Sequence, residues 1–138
     1  MKTAVYSARR YDKTLLARAN TDAGHELHFF EDRLTLSTAG LAAGCAAVCV
    51  FVNDCVDAAV LGVLARQGTR LVATRSTGYN QVDVAAARQL GIEVVRVTDY
   101  SPYSVAEFAV GLLLAVNPKI ARASGRTRGG NFDLGGLV

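Results

Sequence analysis

Short apolar runs recur along this chain about every 25 residues, and between them the apolar positions spread to a helical spacing. KTAVYS at 2–7 is a β-prone run, and Asp12 to Asn20 follows with Leu15, Leu16 and Ala19 spaced as on one helix face. His25 to Phe30 alternates as a half-buried strand does, and Ser37 to Ala43 opens on residues that cap a short helix, closed by Gly44. AAVCVFV at 46–52 is continuously apolar, the pattern of a strand covered on both faces of a parallel sheet. Asp57 to Gln67 returns as a helix ended by Gly68, and Arg70 to Thr74 is a fourth strand. Val82 to Leu90 is the next helix, closed by Gly91, and Ile92 to Val97 a fifth strand. The last helix is expected to begin near Ser104, capped by that Ser, because Glu107 three residues on gives the capping-box spacing.

Five β/α repeats predict one α/β domain: a doubly wound, five-stranded parallel sheet of flavodoxin-like order 2-1-3-4-5. Ligands then belong at the C-terminal strand ends, which carry residues 7–10, 30–32, 53–55, 75–80 and 98–101. The character changes beyond Val116. Pro118 cannot donate a backbone hydrogen bond inside a helix, and Gly125, Gly129, Gly130, Gly135 and Gly136 crowd the final stretch. A domain over 1–117 is therefore expected, with the helix kinking or stopping near Asn117 and a loosely held segment over 118–138.

Composition narrows the classes. With 138 residues, 51% hydrophobic and 20% charged, the chain suits one ordinary globular domain. No apolar run reaches the roughly 18 residues of a membrane span, since Glu107 interrupts VAEFAVGLLLAV. The opening MKTAVYSARRYDK turns polar too early for a secretory signal, so no membrane partner and a cytoplasmic location are expected. The net charge of +3 owes much to Lys119, Arg122, Arg126 and Arg128, which lack the interleaved aromatics of a nucleic-acid surface and read as a solvated terminus. Cys45, Cys49 and Cys55 show no metal-ligand spacing. Cys45 and Cys49 read as buried thiols on one face of a strand.

The candidate chemistry lies in ATRSTGYNQVD at 73–83, where a strand end passes through Ser76, Thr77 and Gly78 towards a helix. Small residues at such a place expose backbone N–H groups, and the natural guest is an anion. A flavin carrier would instead need its phosphate loop after the first strand, where SARRYDK offers no glycine. A phospho-acceptor receiver would use Asp54 at the end of the third strand, yet the chain offers Tyr6-Ser7 and Thr98-Asp99 where metal-binding acids and a lysine are required.

Taken in order, MKTAVYSARRYD, GHELHFFEDRL, AVCVFVND, GTRLVATRSTGYNQVDVAAARQLGIEVVRV, DYSPYSVAEFAVGLLLAVN and RTRGGNFDLGGL resemble the N-terminal part of the NAD-dependent D-2-hydroxyacid dehydrogenases, most closely bacterial fermentative D-lactate dehydrogenases. The resemblance covers essentially the whole chain. It implies a flavodoxin-like substrate-binding domain in which Ser76, Thr77 and Gly78 offer N–H groups to a substrate carboxylate. It also implies that Tyr100, in DYSPY, lines the cleft. The family's catalytic His and Arg and its dinucleotide fingerprint have no match here: His25 and His28 lie in the second strand region, and no G-x-G-x-x-G occurs. No residue is therefore assigned to catalysis, to a cofactor or to a metal, and NAD belongs to the full-length family. Departures from the family's pattern fall at Thr77, Thr98, Phe108 and Pro118. The expected function is that of a substrate-binding domain, inactive alone, with a small 2-hydroxy or 2-keto acid as ligand. The alternative is a non-catalytic module that forms a homodimer through residues 105–117.

Overall fold

A computed structural model describes residues 1–137. Five strands, β1 (Lys2–Val5), β2 (Glu26–Phe29), β3 (Ala47–Val50), β4 (Leu71–Thr74) and β5 (Glu93–Arg96), pair in parallel in the order β2-β1-β3-β4-β5. This is the order read from the repeats. Helices α1 (Arg10–Ala19), α2 (Ala58–Arg66) and α3 (Val84–Gln89) connect them, with a 3₁₀ turn at Ala39–Ala42, and α4 (Pro102–Val116) and α5 (Pro118–Arg128) follow. The described residues fall into two compact units, Met1–Asp99 and the segment from Tyr100 onward.

In the first unit Val48, Val50 and Val72 from the central strands meet Val60, Leu61 and Leu64 of α2, all fully buried. Each such side chain contributes about 1.5–3 kcal/mol by leaving water, and the central strands carry most of that burial. Sheet register aligns the strand ends: Val5 pairs with Cys49, Val50 with Thr74, and Thr74 with Arg96. The residues that follow therefore share one edge, and among them are Ser7, Phe51, Arg75 and Val97.

Among the boundaries that differ from those expected, three have a clear local reason. Val82 forms a bridge with Val56, and Asp83 accepts from the Ala86 N–H at 2.9 Å, so α3 begins two residues late and has only six residues. The segment 37–43 keeps only a 3₁₀ turn, because the Thr38 hydroxyl is drawn back to the Arg33 carbonyl at 2.6 Å. Ser101, not Ser104, caps α4: Pro102 is preset for the first helical position, and the Ser101 hydroxyl accepts from the Ser104 N–H at 3.4 Å.

In the second unit Pro118, expected to stop a helix, is the first residue of another. Asn117 caps it by accepting from the Lys119 N–H at 3.0 Å. Arg126 Nη1 donates to the carbonyls of Asp133 at 3.0 Å and Gly135 at 2.6 Å, and Arg122 donates to that of Gly136 at 3.3 Å. Two of the four basic residues thus fasten the glycine-rich segment to α5. Among the described residues no single helix is long and apolar enough to cross a membrane.

Candidate carboxylate-binding site

Arg75 leaves β4 and turns its side chain back beneath the strand ends. Its Nη2 donates to the Tyr6 carbonyl at 2.9 Å and its Nη1 to the Cys49 carbonyl at 3.3 Å, while the guanidinium lies 5.5 Å from the centre of the Phe51 ring. Asp12 Oδ1 stands 3.5 Å from Nε; the ion pair is only 14% exposed on either side, although Nε itself makes no hydrogen bond. One side chain therefore ties β1, β3 and β4 together behind the turn that follows. Burial raises the Cys49 thiol above its ordinary pKa, with Arg75 opposing the shift.

Asp54 makes a second tie. Its carboxylate is 3% exposed and accepts from the Ser7 hydroxyl at 2.7 Å, the Leu34 N–H at 2.9 Å and the Phe51 N–H at 2.6 Å. An acid so engaged belongs to the scaffold, which accounts for Asp54 without phosphoryl chemistry.

Residues 76–79 form a turn in which every carbonyl is held. The Ser76 carbonyl accepts from Thr74 Oγ1 at 3.0 Å and the Val97 N–H at 3.3 Å, and the Thr77 carbonyl from Arg96 Nη1 at 3.0 Å. The Gly78 carbonyl accepts from Ser76 Oγ at 2.7 Å, and the Tyr79 carbonyl from the Val82 N–H at 3.0 Å. Among the described residues no acceptor meets the N–H groups of residues 76–80, and Thr77 to Asn80 are exposed. Acceptors turned inward and donors left over make a site of positive dipole, suited to an anion.

Gly78 does not adopt a left-handed conformation, and a Cβ placed on it would meet nothing within 4 Å. Nothing among the described residues requires glycine there, and the space before it is open. The helix that follows the turn, α3, starts only at Val84, and its Ala86 N–H is already taken by Asp83. The donors of this site are those of the turn itself.

The structure places Ser76, Thr77 and Gly78 together in this turn. Tyr100 belongs to the second unit, where it is 68% exposed. Histidine 28 is committed elsewhere: its Nε2 lies 2.6 Å from Glu26 Oε1, and that hydrogen bond holds the Glu26 carboxyl below its ordinary pKa. Cys45 is buried but precedes β3, Cys49 is half-buried within it, and Cys55 is exposed. Sequence reading missed Arg96, which reaches the turn across 19 residues and lies 5.5 Å from the Tyr79 ring centre. With Tyr79, Val84 and Val94 it lines a shallow cavity of about 230 Å³ beside the turn.

Fold and site thus define a doubly wound parallel domain whose turn after the fourth strand leaves N–H groups without acceptors among the described residues. Residues 3–130 match the family model for the D-isomer specific 2-hydroxyacid dehydrogenase catalytic domain, and the chain belongs to that family. It is 50% identical over its whole length to a 2-hydroxyacid dehydrogenase homolog of Zymomonas mobilis and 49% identical to D-lactate dehydrogenase of Escherichia coli. It spans 42% of the length of each of these relatives. The apo-structure of the Escherichia coli D-lactate dehydrogenase superposes with a TM-score of 0.85 at 48% identity, covering 100% of this chain and 44% of that one. A D-lactate dehydrogenase of Lactobacillus jensenii solved with NAD+ gives 0.74 at 28% identity, over 96% of this chain and 41% of its own.

Proposed function

We propose that the turn at 76–80 binds the carboxylate of a small 2-hydroxy or 2-keto acid, so that the chain supplies the substrate-binding part of a D-2-hydroxyacid dehydrogenase active site. The observation that carries this reading is the division of the turn's polar groups, with the carbonyls of residues 76–79 held by the protein and the N–H groups of residues 76–80 free among the described residues. Ser76, Thr77 and Gly78 supply donors, and Gly78 leaves room for the ligand to approach. Tyr100 is assigned to the cleft on family resemblance. The three free cysteines suit a reducing cytoplasm.

The relative solved with NAD+ points to that cofactor for the full-length enzyme. The residues here do not fit it: the 138-residue sequence has no G-x-G-x-x-G, and the end of β1 reads Tyr6-Ser7-Ala8-Arg9, without a glycine to admit a pyrophosphate. No hydride step is therefore assigned to this chain. Calorimetric titration with pyruvate, oxamate and methyl pyruvate tests the binding role. The two carboxylates are expected to bind and the ester not to; equal binding of all three would remove the carboxylate from the account.

A second reading is favoured by α4. None of its side chains is buried, and Phe108 is 69% and Val116 73% exposed. Apolar surface of this kind marks an interaction site, and the occupant proposed is the same segment, 105–117, of a second copy in a two-fold arrangement.

A further inference from the structure

We infer that Arg96 is a positioning residue for the carboxylate site, acting through the peptide that joins Thr77 to Gly78; the inference rests on the reading that the turn binds a carboxylate. A trans peptide is planar, and its C=O and N–H point in opposite directions. Whatever grips the Thr77 carbonyl therefore aims the Gly78 N–H the other way. That grip is Arg96 Nη1, at 3.0 Å.

The same rule runs through the turn. Thr74 Oγ1 and the Val97 N–H hold the Ser76 carbonyl and so direct the Thr77 N–H. Ser76 Oγ holds the Gly78 carbonyl and directs the Tyr79 N–H, and the Val82 N–H holds the Tyr79 carbonyl and directs that of Asn80. Among these carbonyls only that of Thr77 is gripped by a charged donor. Hydrogen bonds to ions are shorter and stronger than neutral ones, and a polarised carbonyl makes the N–H of its own peptide a better donor. Gly78, the residue with open space before it, thus carries the N–H most strengthened towards an anion.

Tyr79 fixes the guanidinium. Arg96 is the last residue of edge strand β5 and exposed, where a lone arginine would sample many rotamers. Its guanidinium carbon lies 5.5 Å from the Tyr79 ring centre, so one cation touches the carbonyl of residue 77 and the ring of residue 79. Gly78 is bracketed from both sides. Register prepares this, because Arg96 pairs with Thr74, the last residue of β4 and two residues before the turn.

The test compares oxamate affinity and amide spectra of the 138-residue chain with those of Arg96→Met, Arg96→Lys and Tyr79→Leu. Both sites are exposed, so the fold should persist. Loss of one charged hydrogen bond together with a cation–π contact predicts oxamate binding about tenfold weaker in Arg96→Met. Arg96→Lys keeps a charged donor and should recover most of that loss. Tyr79→Leu should weaken binding less, about threefold, by freeing the guanidinium. In the ligand-free spectra, Arg96→Met should move the Thr77 carbonyl carbon and the Gly78 amide nitrogen, a signature that general destabilisation would not confine to one peptide. If Arg96→Met binds oxamate as tightly as the unmodified chain, with residues 76–80 still shifting, the role of Arg96 is overturned while the carboxylate site stands. If Arg96→Lys recovers nothing, the charged grip is overturned. If oxamate leaves 76–80 unmoved in the unmodified chain, the site itself is wrong and the inference falls with it.

Discussion

The Ser7 hydroxyl donates to the Asp54 carboxylate at 2.7 Å, joining the ends of β1 and β3 across 47 residues. Ser7 sits at a φ of 52°, in the left-handed region that non-glycine residues rarely occupy, so the contact also holds a strained backbone in place. Asp54 receives two backbone N–H groups as well, from Leu34 and Phe51. Asp54→Ala leaves these donors buried without partners and should cost about 3 kcal/mol in urea unfolding, with Asp54→Asn costing less because its carbonyl still accepts. An Asp54→Ala chain as stable as the parent would show that the tie is dispensable.

Alkaline pH should reveal another tie. The Tyr6 hydroxyl donates to the Thr38 carbonyl at 2.9 Å, and burial pushes its pKa up to about 12. Because the folded value lies above the unfolded one, near 10, the stability linked to this phenol is complete below pH 10 and lost as pH rises towards 12. Urea unfolding of the parent and of Tyr6→Phe should therefore differ by a constant amount up to pH 10 and converge above it. A difference that stays constant to pH 11.5 would contradict the assignment.

Gly78 separates folding from binding. Its φ is not left-handed and a Cβ would meet no atom within 4 Å, so Gly78→Ala should change stability by no more than about 0.5 kcal/mol. Oxamate binding should weaken several-fold, because the methyl group occupies space the ligand needs. A loss of stability with unchanged affinity would make Gly78 structural.

How far these features could be read beforehand depended on how local their causes are. The run 46–52 betrays a central strand because both faces of β3 are covered, and α2 announces itself through Asp57, which accepts from the Val60 N–H at 2.9 Å, and through Gly68 at a φ of 95°. The capping rule picked Ser104 because Glu107 completes the box spacing, and it passed over Ser101, where Pro102 in the next position was the deciding signal. Asn117-Pro118 was read as an ending although a capping Asn followed by Pro is also a beginning. In the candidate site, the small residues of the turn were visible. The grip of Arg96 on Thr77 and of Arg75 on Tyr6 was not, since contacts across 19 and 69 residues exist only once strand order and register bring the partners together.

Self-association through α4 makes a separate claim. If its apolar residues are buried between two copies, replacing Phe108 and Leu112 with Asp should give a folded monomer in sedimentation experiments, with the circular dichroism of the sheet unit unchanged. An unmodified chain that sediments as a monomer at high concentration would end that reading.

The most direct measurement is an amide-resolved titration of the 138-residue chain with oxamate. Because the N–H groups of residues 76–80 are the unengaged donors at this strand end, the account predicts that Thr77, Gly78 and Tyr79 shift first and furthest, along one saturating curve. Saturating shifts confined to other strand ends, or no shift in 76–80 at millimolar oxamate, would contradict it.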